Sequence, residues 1–102
     1  MAELLERDPA IDGVFAGNDL MALGAMHALQ AAGRRVPDDV AVIGFDDSSI
    51  ATIARPMLTT IRQPIEEMAA QMARTLVERL DHPDAPPSSV VFEPLLVARA
   101  SA

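Results

Sequence analysis

The 102-residue sequence contains no cysteine, tryptophan, tyrosine or lysine, and only three of its residues are aromatic, all phenylalanine. Without cysteine, a disulfide framework and a thiolate metal site are both excluded. With so few aromatic side chains, the core has to be built from Ala, Leu, Val, Ile and Met. Half of the residues are hydrophobic and 23% are charged, which is typical of one small globular domain.

Positive charge is scarce, since eight arginines stand against fifteen acidic residues and the formal net charge is −7. A nucleic-acid-binding face needs a basic patch that displaces counterions from phosphates. The only adjacent basic pair, Arg34 and Arg35, is followed closely by Asp38 and Asp39. We therefore predict that this chain does not bind DNA directly.

Long apolar runs are also absent, and none approaches the ~20 residues of a membrane-spanning helix. The first ten residues, MAELLERDPA, lack the apolar segment of a signal peptide. These features predict a cytoplasmic chain with no membrane partner.

No arrangement of residues points to catalysis. His27 lies in an apolar helix and His82 in a loop, without a nucleophile or carboxylate at usable spacing. The glycines form neither of the common phosphate-binding motifs. No set of His and acidic residues has metal-ligand spacing. The sequence therefore predicts no enzyme activity, no metal and no cofactor.

Hydrophobic patterning and the positions of Gly and Pro predict an alternation of helices and strands. Helices are expected at 2–8, 20–32 and 65–80, and strands at 13–17, 40–45, 58–61, 90–92 and 95–99, with a loop and helical turn at 46–55. This order indicates an α/β fold with a doubly wound, Rossmann-like parallel sheet and flanking helices.

Polar residues follow two of the predicted strands where ligands bind in such sheets, beyond the carboxyl ends. Asn18 and Asp19 come after the first strand, and Asp46 comes after the second. Asn18 either caps the next helix only or also contacts a ligand. Asp46 either accepts hydrogen bonds from sugar or ribose hydroxyls or closes a local turn.

The predicted helix Leu20–Ala32 is apolar nearly all round, so it needs cover on two sides. The sheet covers one side. The outward row Leu20, Leu23, His27 and Gln30 has the mixed character of a subunit interface.

Four sequence elements occur in a specific order: N-D-x-M-A-x-G, V-P-D-D-V-x-V-I-G-F-D-D, P-x-L-T-T-I and a closing L-V-x-R-x-S. With this order and spacing the chain resembles, over essentially its whole length, the C-terminal portion of LacI/GalR-family transcription regulators. The resemblance implies a fragment of a periplasmic-binding-protein type I effector domain. In that family this domain follows a helix-turn-helix and controls operator binding by a dimer.

Carried over by position, the resemblance implies roles for individual residues. Asn18 and Asp46 match residues that hydrogen-bond a carbohydrate or nucleoside effector, and Asp19 matches a helix cap. The homodimer surface is expected at Leu20, Leu23, His27, Ile53 and Ala54.

The resemblance also implies three segments. Residues 1–63 belong to the effector-binding C-terminal subdomain, residues 64–93 pack on an N-terminal subdomain, and residues 94–102 form the closing strand. The other half of the effector cleft, with any aromatic platform for a sugar ring, is expected outside this chain. Two other functions stay open: a fragment of a periplasmic-type sugar carrier, and a stand-alone dimerisation module.

Overall fold

Four helices and four strands follow one another in the computed structural model, which describes all of residues 1–102. They are α1 (Ala2–Arg7), β1 (Gly13–Phe15), α2 (Asp19–Ala31), β2 (Ala41–Phe45), α3 (Ser49–Ile53), β3 (Thr59–Arg62), α4 (Ile65–Asp81) and β4 (Leu95–Val97). They form two compact units, here called unit 1 (Met1–Arg62 with Leu95–Ala102) and unit 2 (Gln63–Pro94). The unit bounds lie within one residue of the predicted segment boundaries, while the roles assigned to those segments stay predictions.

The strands of unit 1 form one sheet in the order β1-β2-β3-β4. β1, β2 and β3 are parallel, as predicted, but β4 runs antiparallel to β3. The expected strand at 90–92 is absent, and this prediction is wrong. Residues 90–92 lie in unit 2, where no neighbouring strand is available to pair with their backbone groups.

The core of unit 1 lies between α2 and β2. Ala22, Met26 and Leu29 recur at helical spacing and are fully buried, as are Val40 and Val42 on or beside β2. Helix α2 begins one residue before the predicted start and is followed by Gly33, whose φ of 73° suits a residue without a Cβ. One side of α2 is thus covered by the sheet, as predicted.

The short apolar run at residues 13–17 is typical of a buried strand, but β1 is not buried, because Gly13 and Phe15 are exposed and Val14 is only partly covered. β1 pairs only with β2, so it forms an edge of the sheet, and Phe15 is 66% exposed. An edge strand keeps one side of its backbone unpaired. The short apolar run is therefore only partly covered within this chain.

The last residues of the chain close the sheet at its centre. The N–H of Thr59 donates to Ser101 Oγ at 2.8 Å, and that hydroxyl donates to the carbonyl of Val42 at 2.6 Å. Ser101 is fully buried. The closing Ser of the L-V-x-R-x-S element therefore satisfies backbone groups of two parallel strands.

Unit 2 consists of α4 and the segment 82–94, which contains no further helix or strand. Helix α4 spans one residue more than the predicted 65–80 and has no buried residue. Apolar residues recur at helical spacing along α4, and most of them are exposed; Ile65, Met72, Leu76 and Leu80 are all more than half exposed.

Candidate functional site

The two predicted ligand contacts lie at the carboxyl ends of neighbouring parallel strands, as expected. β1 and β2 pair from Gly13 with Ala41 to Phe15 with Ile43. Asn18 follows β1 by three residues, and Asp46 directly follows β2. We call this edge of the sheet, with its Asn18 and Asp46, the carboxyl-edge site.

Asn18 is the N-cap of α2. Its backbone is extended, and its Oδ1 accepts a hydrogen bond from the Met21 N–H at 2.8 Å. An amide also carries an NH₂ group with two donors, and no protein acceptor contacts that group in Asn18. The side chain can therefore cap the helix through oxygen and still donate to a ligand oxygen through nitrogen.

Asp46 and Asp47 both adopt the left-handed backbone conformation, with φ of 102° and 51°. Such angles are uncommon for residues other than glycine, and two in succession form a sharp bend at the end of β2. The N–H of Asp46 donates to the Ile61 carbonyl at 2.8 Å, which extends the pairing of β2 with β3 into the bend. The bend is therefore anchored to the neighbouring strand.

The carboxylate of Asp47 lies between two arginines. It accepts from Arg99 at 2.6 Å on Oδ1 and from the Nε of Arg62 at 2.6 Å on Oδ2. Burial acts to raise the pKa of Asp47, but the hydrogen bonds from Arg99 and Arg62 outweigh it and hold the pKa below its ordinary value. Asp47 is therefore charged at neutral pH and ties the bend to the sheet.

Asp19 does not cap α2, so the role implied by the resemblance is wrong. Its side chain turns into unit 1, where it is 1% exposed. Oδ2 accepts from the Ser48 N–H at 2.6 Å and from the Ser48 hydroxyl at 2.9 Å. Oδ1 accepts from the Thr60 hydroxyl at 2.5 Å. These donors outcompete the helix N-terminus, which Asn18 already satisfies.

Sequence reasoning assigned no function to Asp47, Arg62, Thr60 or Arg99. Three of them lie in the sequence elements described above: Asp47 ends G-F-D-D, Thr60 lies in P-x-L-T-T-I and Arg99 lies in L-V-x-R-x-S. The ion pair of Asp47 with Arg99 joins residues that are 52 positions apart in the chain. Only the motifs themselves signalled them, because nothing in the local pattern links such distant positions.

Two aromatic side chains meet at the same end of the sheet. The rings of Phe15 and Phe45 lie edge to face, with centroids 6.4 Å apart and an interplanar angle of 89°. Side chains alternate along a strand, so Phe45 points away from α2, the side that Gly44 faces. The pair therefore lies on the sheet face opposite α2.

The residues predicted for the dimer surface lie on α2 and at α3. Leu20 is 64% and Ile53 67% exposed, and His27 is also exposed, whereas Leu23 is half-buried against the core. Ala54 is 3% exposed and belongs to the core of unit 1, so it offers almost no surface to a partner.

A groove of about 520 Å³ lies within unit 2, and none of the predicted site residues lines it. It runs between α4 and the segment after it, with Met68, Met72, Leu76, Val90 and Phe92 as its apolar lining.

No group of three or more His, Cys, Asp or Glu residues is arranged to hold a metal ion. None of the helices has the length and apolar character needed to cross a membrane.

Comparisons with known proteins give one consistent result. The profile of the periplasmic binding protein-like domain matches residues 1–102. The HTH-type transcriptional regulator CelR of Thermobifida fusca is 50% identical over 101 residues, which are 99% of this chain and 30% of the relative.

Solved structures agree with the sequence comparison. A complex of the transcriptional regulator CelR with cellobiose matches with a TM-score of 0.93 at 49% identity, covering 98% of this chain and 31% of that one. A lac repressor dimer bound to operator and the anti-inducer ONPF matches with a TM-score of 0.82 at 30% identity, covering 98% and 30%. This chain thus spans 24–31% of the length of the curated relatives it matches.

Proposed function

This chain belongs to the periplasmic binding protein-like domains of LacI-type transcription regulators, and we propose that it supplies part of a carbohydrate effector site. The proposed contacts are Asn18 and Asp46 at the carboxyl-edge site. The proposed role of the whole regulator is effector-controlled binding to operator DNA. The relatives are regulators rather than enzymes or sugar carriers, which agrees with the prediction of a non-enzymatic chain and favours this function over a periplasmic-type carrier.

The observation that carries the proposal is the pairing of a free donor with an acceptor at one sheet edge. The NH₂ group of Asn18 can donate to a hydroxyl oxygen, and the carboxylate of Asp46 can accept from a hydroxyl hydrogen. Sugar hydroxyls offer both partners. The CelR structure, which is 49% identical to this chain, holds cellobiose, so the proposal names carbohydrate rather than nucleoside as the effector class.

Cellobiose titration of the ¹⁵N-labelled chain, followed by amide chemical shifts, tests the ligand site. We expect a dissociation constant on the order of millimolar, because two polar groups enclose little of a disaccharide. Shifts should be confined to the residues around Asn18 and Asp46, and both Asn18→Ala and Asp46→Ala should abolish them. Asp38→Ala, at an exposed carboxylate of a turn, is the control that should bind like the wild type.

Three results would contradict the ligand proposal: no shift at high cellobiose, shifts centred elsewhere, or equal shifts with adenosine. Micromolar binding would contradict the expectation that the enclosing surface is incomplete. Each result is distinguishable in the same titration series.

We also propose that the exposed surface of α2 and α3, here called the α2–α3 surface, binds a second copy of the chain. Gln30 Nε2 on α2 donates at 3.1 Å to the carbonyl of Arg55, two residues after the end of α3, and so ties the segment that follows α3 to α2. Leu20 and Ile53 project from this surface, and burying each is worth roughly 1.5–3 kcal/mol. The related lac repressor is a dimer in its operator complex, which supports a symmetric partner.

Light scattering at about 100 μM, which tests association in the range of weak interfaces, decides between the possible surfaces. The wild type should be dimeric, and Leu20→Arg and Ile53→Arg should each yield monomers. Leu4→Arg is the matched control, since Leu4 is 51% exposed on α1. If Met72→Arg on α4 breaks the dimer and Leu20→Arg does not, the second copy covers α4 and the α2–α3 proposal is wrong.

A further inference from the structure

Asp19 is a buried carboxylate with no cationic partner. It is 1% exposed, and its hydrogen-bond donors are the backbone and hydroxyl of Ser48 and the hydroxyl of Thr60. Taking a carboxylate out of water is costly unless its oxygens are satisfied. Only neutral donors satisfy the two carboxylate oxygens of Asp19. The fold therefore buries a carboxylate that contacts no arginine and does not reach the proposed ligand contacts.

Helix formation does not explain this carboxylate, because Asn18 already caps α2 through Met21. Apolar packing does not explain it either. A Cβ at Gly44 would lie 2.4 Å from Asp19 Oδ1, so the middle of the sheet has no side chain where the carboxylate sits. An Ala at each position would fill the same space without burying a charge. The arrangement is therefore built around the carboxylate.

The hydrogen bonds of this group reach both halves of the carboxyl-edge site. Asp19 directly follows Asn18, and its partner Ser48 lies two residues after Asp46. Its other partner, Thr60, also accepts from the Asp47 N–H at 3.4 Å. Asp19 therefore links the start of α2 to the bend that carries Asp46.

Three consecutive N–H groups of this bend are held by partners outside it. Asp46 donates to the Ile61 carbonyl, Asp47 donates to the Thr60 hydroxyl, and Ser48 donates to Asp19. A backbone with two positive φ angles in succession persists only when its surroundings hold it. Two of the three restraints depend on the Asp19–Thr60 pair.

We propose that Asp19 is a positioning residue that sets the separation of Asn18 and Asp46 by holding Ser48 and Thr60, without touching the ligand. This inference rests on the proposed ligand site. Part of the carbohydrate affinity of the site then depends on the buried Asp19 carboxylate, which does not contact the ligand.

The test is cellobiose affinity in variants that remove the hydrogen bonds but keep the shape. Thr60→Val replaces the hydroxyl by a methyl group, and Asp19→Asn leaves only one oxygen for the two sets of donors. Each should weaken cellobiose binding about three- to tenfold, the range of one neutral hydrogen bond. Thr60→Ser restores the hydroxyl and should restore the affinity. Val40→Ala, in the core before β2, is the control that destabilises the fold without changing the affinity.

The amides of residues 46–48 give a second readout that needs no ligand. Asp19→Asn and Thr60→Val should speed their hydrogen exchange selectively, whereas Val40→Ala should speed exchange across the core. If Val40→Ala weakens cellobiose binding as much as Thr60→Val, or if Thr60→Val binds like the wild type, the positioning role is wrong. If the wild type does not bind cellobiose, the proposed function fails, and uniform exchange in Asp19→Asn would then refute the positioning role separately.

Discussion

Gly44→Ala is the substitution for which the structure makes the sharpest prediction. The added Cβ would lie 2.4 Å from Asp19 Oδ1, 2.8 Å from Leu58 Cδ2 and 3.4 Å from the Cβ of Ala22. All three neighbours are buried. None of them can move into open space, and the two closest groups, the Asp19 carboxylate and the Leu58 side chain, have to shift away from β2.

The cost of this shift has two parts. Overpacking a core position costs about 1–3 kcal/mol. Moving the carboxylate also weakens its bonds to Ser48 and Thr60, and a buried donor left without a partner costs about 1–3 kcal/mol. We therefore expect a loss of about 2–6 kcal/mol, a large fraction of the ~5–15 kcal/mol of a small domain.

Urea or thermal unfolding of the 102-residue chain measures this loss, with Gly24→Ala as the matched control. Gly24 lies within α2 and a Cβ there would meet no atom within 4 Å. Ala at this position should raise the free energy of unfolding by about 0.5–1 kcal/mol, because it reduces the number of conformations open to the unfolded chain and favours the helix. The same substitution should thus have opposite signs at the two positions.

A double-mutant cycle with Asp19→Ala locates the effect. Removing the carboxylate makes room for the new methyl group, so Gly44→Ala should cost less in that background, with a coupling of about 1–2 kcal/mol. If Gly44→Ala is as well tolerated as Gly24→Ala, or if the two changes are additive, the close packing of Asp19 against β2 is refuted.

Three further predictions concern charge, DNA and backbone conformation. The pKa of Asp47 is lowered in the folded chain, so its contribution to stability should be complete above the ordinary carboxyl pKa and should decline as pH falls below it. The difference in unfolding free energy between wild type and Asp47→Asn, measured with urea, should therefore shrink between pH 6 and pH 3. A constant difference would contradict the assigned ion pairs. With a net charge of −7, the chain alone should produce no operator mobility shift at ~0.15 M salt, and a persistent shift would overturn this. Gly33→Ala should destabilise the chain by about 1 kcal/mol in thermal unfolding because φ there is positive, and a neutral result would show that the turn readily adopts another conformation.

Elements with a strong local signal were predicted closely. Each end of α2 and of α4 lies within one residue of its predicted position. Apolar spacing, capping residues and flanking Gly and Pro act over a few positions, so they locate the ends of a helix closely. The location of Asn18 and Asp46 at neighbouring strand ends also followed, since parallel strands place their carboxyl ends at one edge. The sequence by itself therefore determined the α/β architecture and the position of the candidate site.

The direction of β4, the missing strand at 90–92 and the exposure of Phe15 could not be read locally, because each depends on which strands are available as neighbours. The same holds for Asp19. Asn and Asp at adjacent positions are both good caps, and only donors 29 and 41 residues away decide that the aspartate turns inward. Tertiary structure alone made that choice, because a buried carboxylate is stable only where folding brings distant N–H and O–H groups to both of its oxygens.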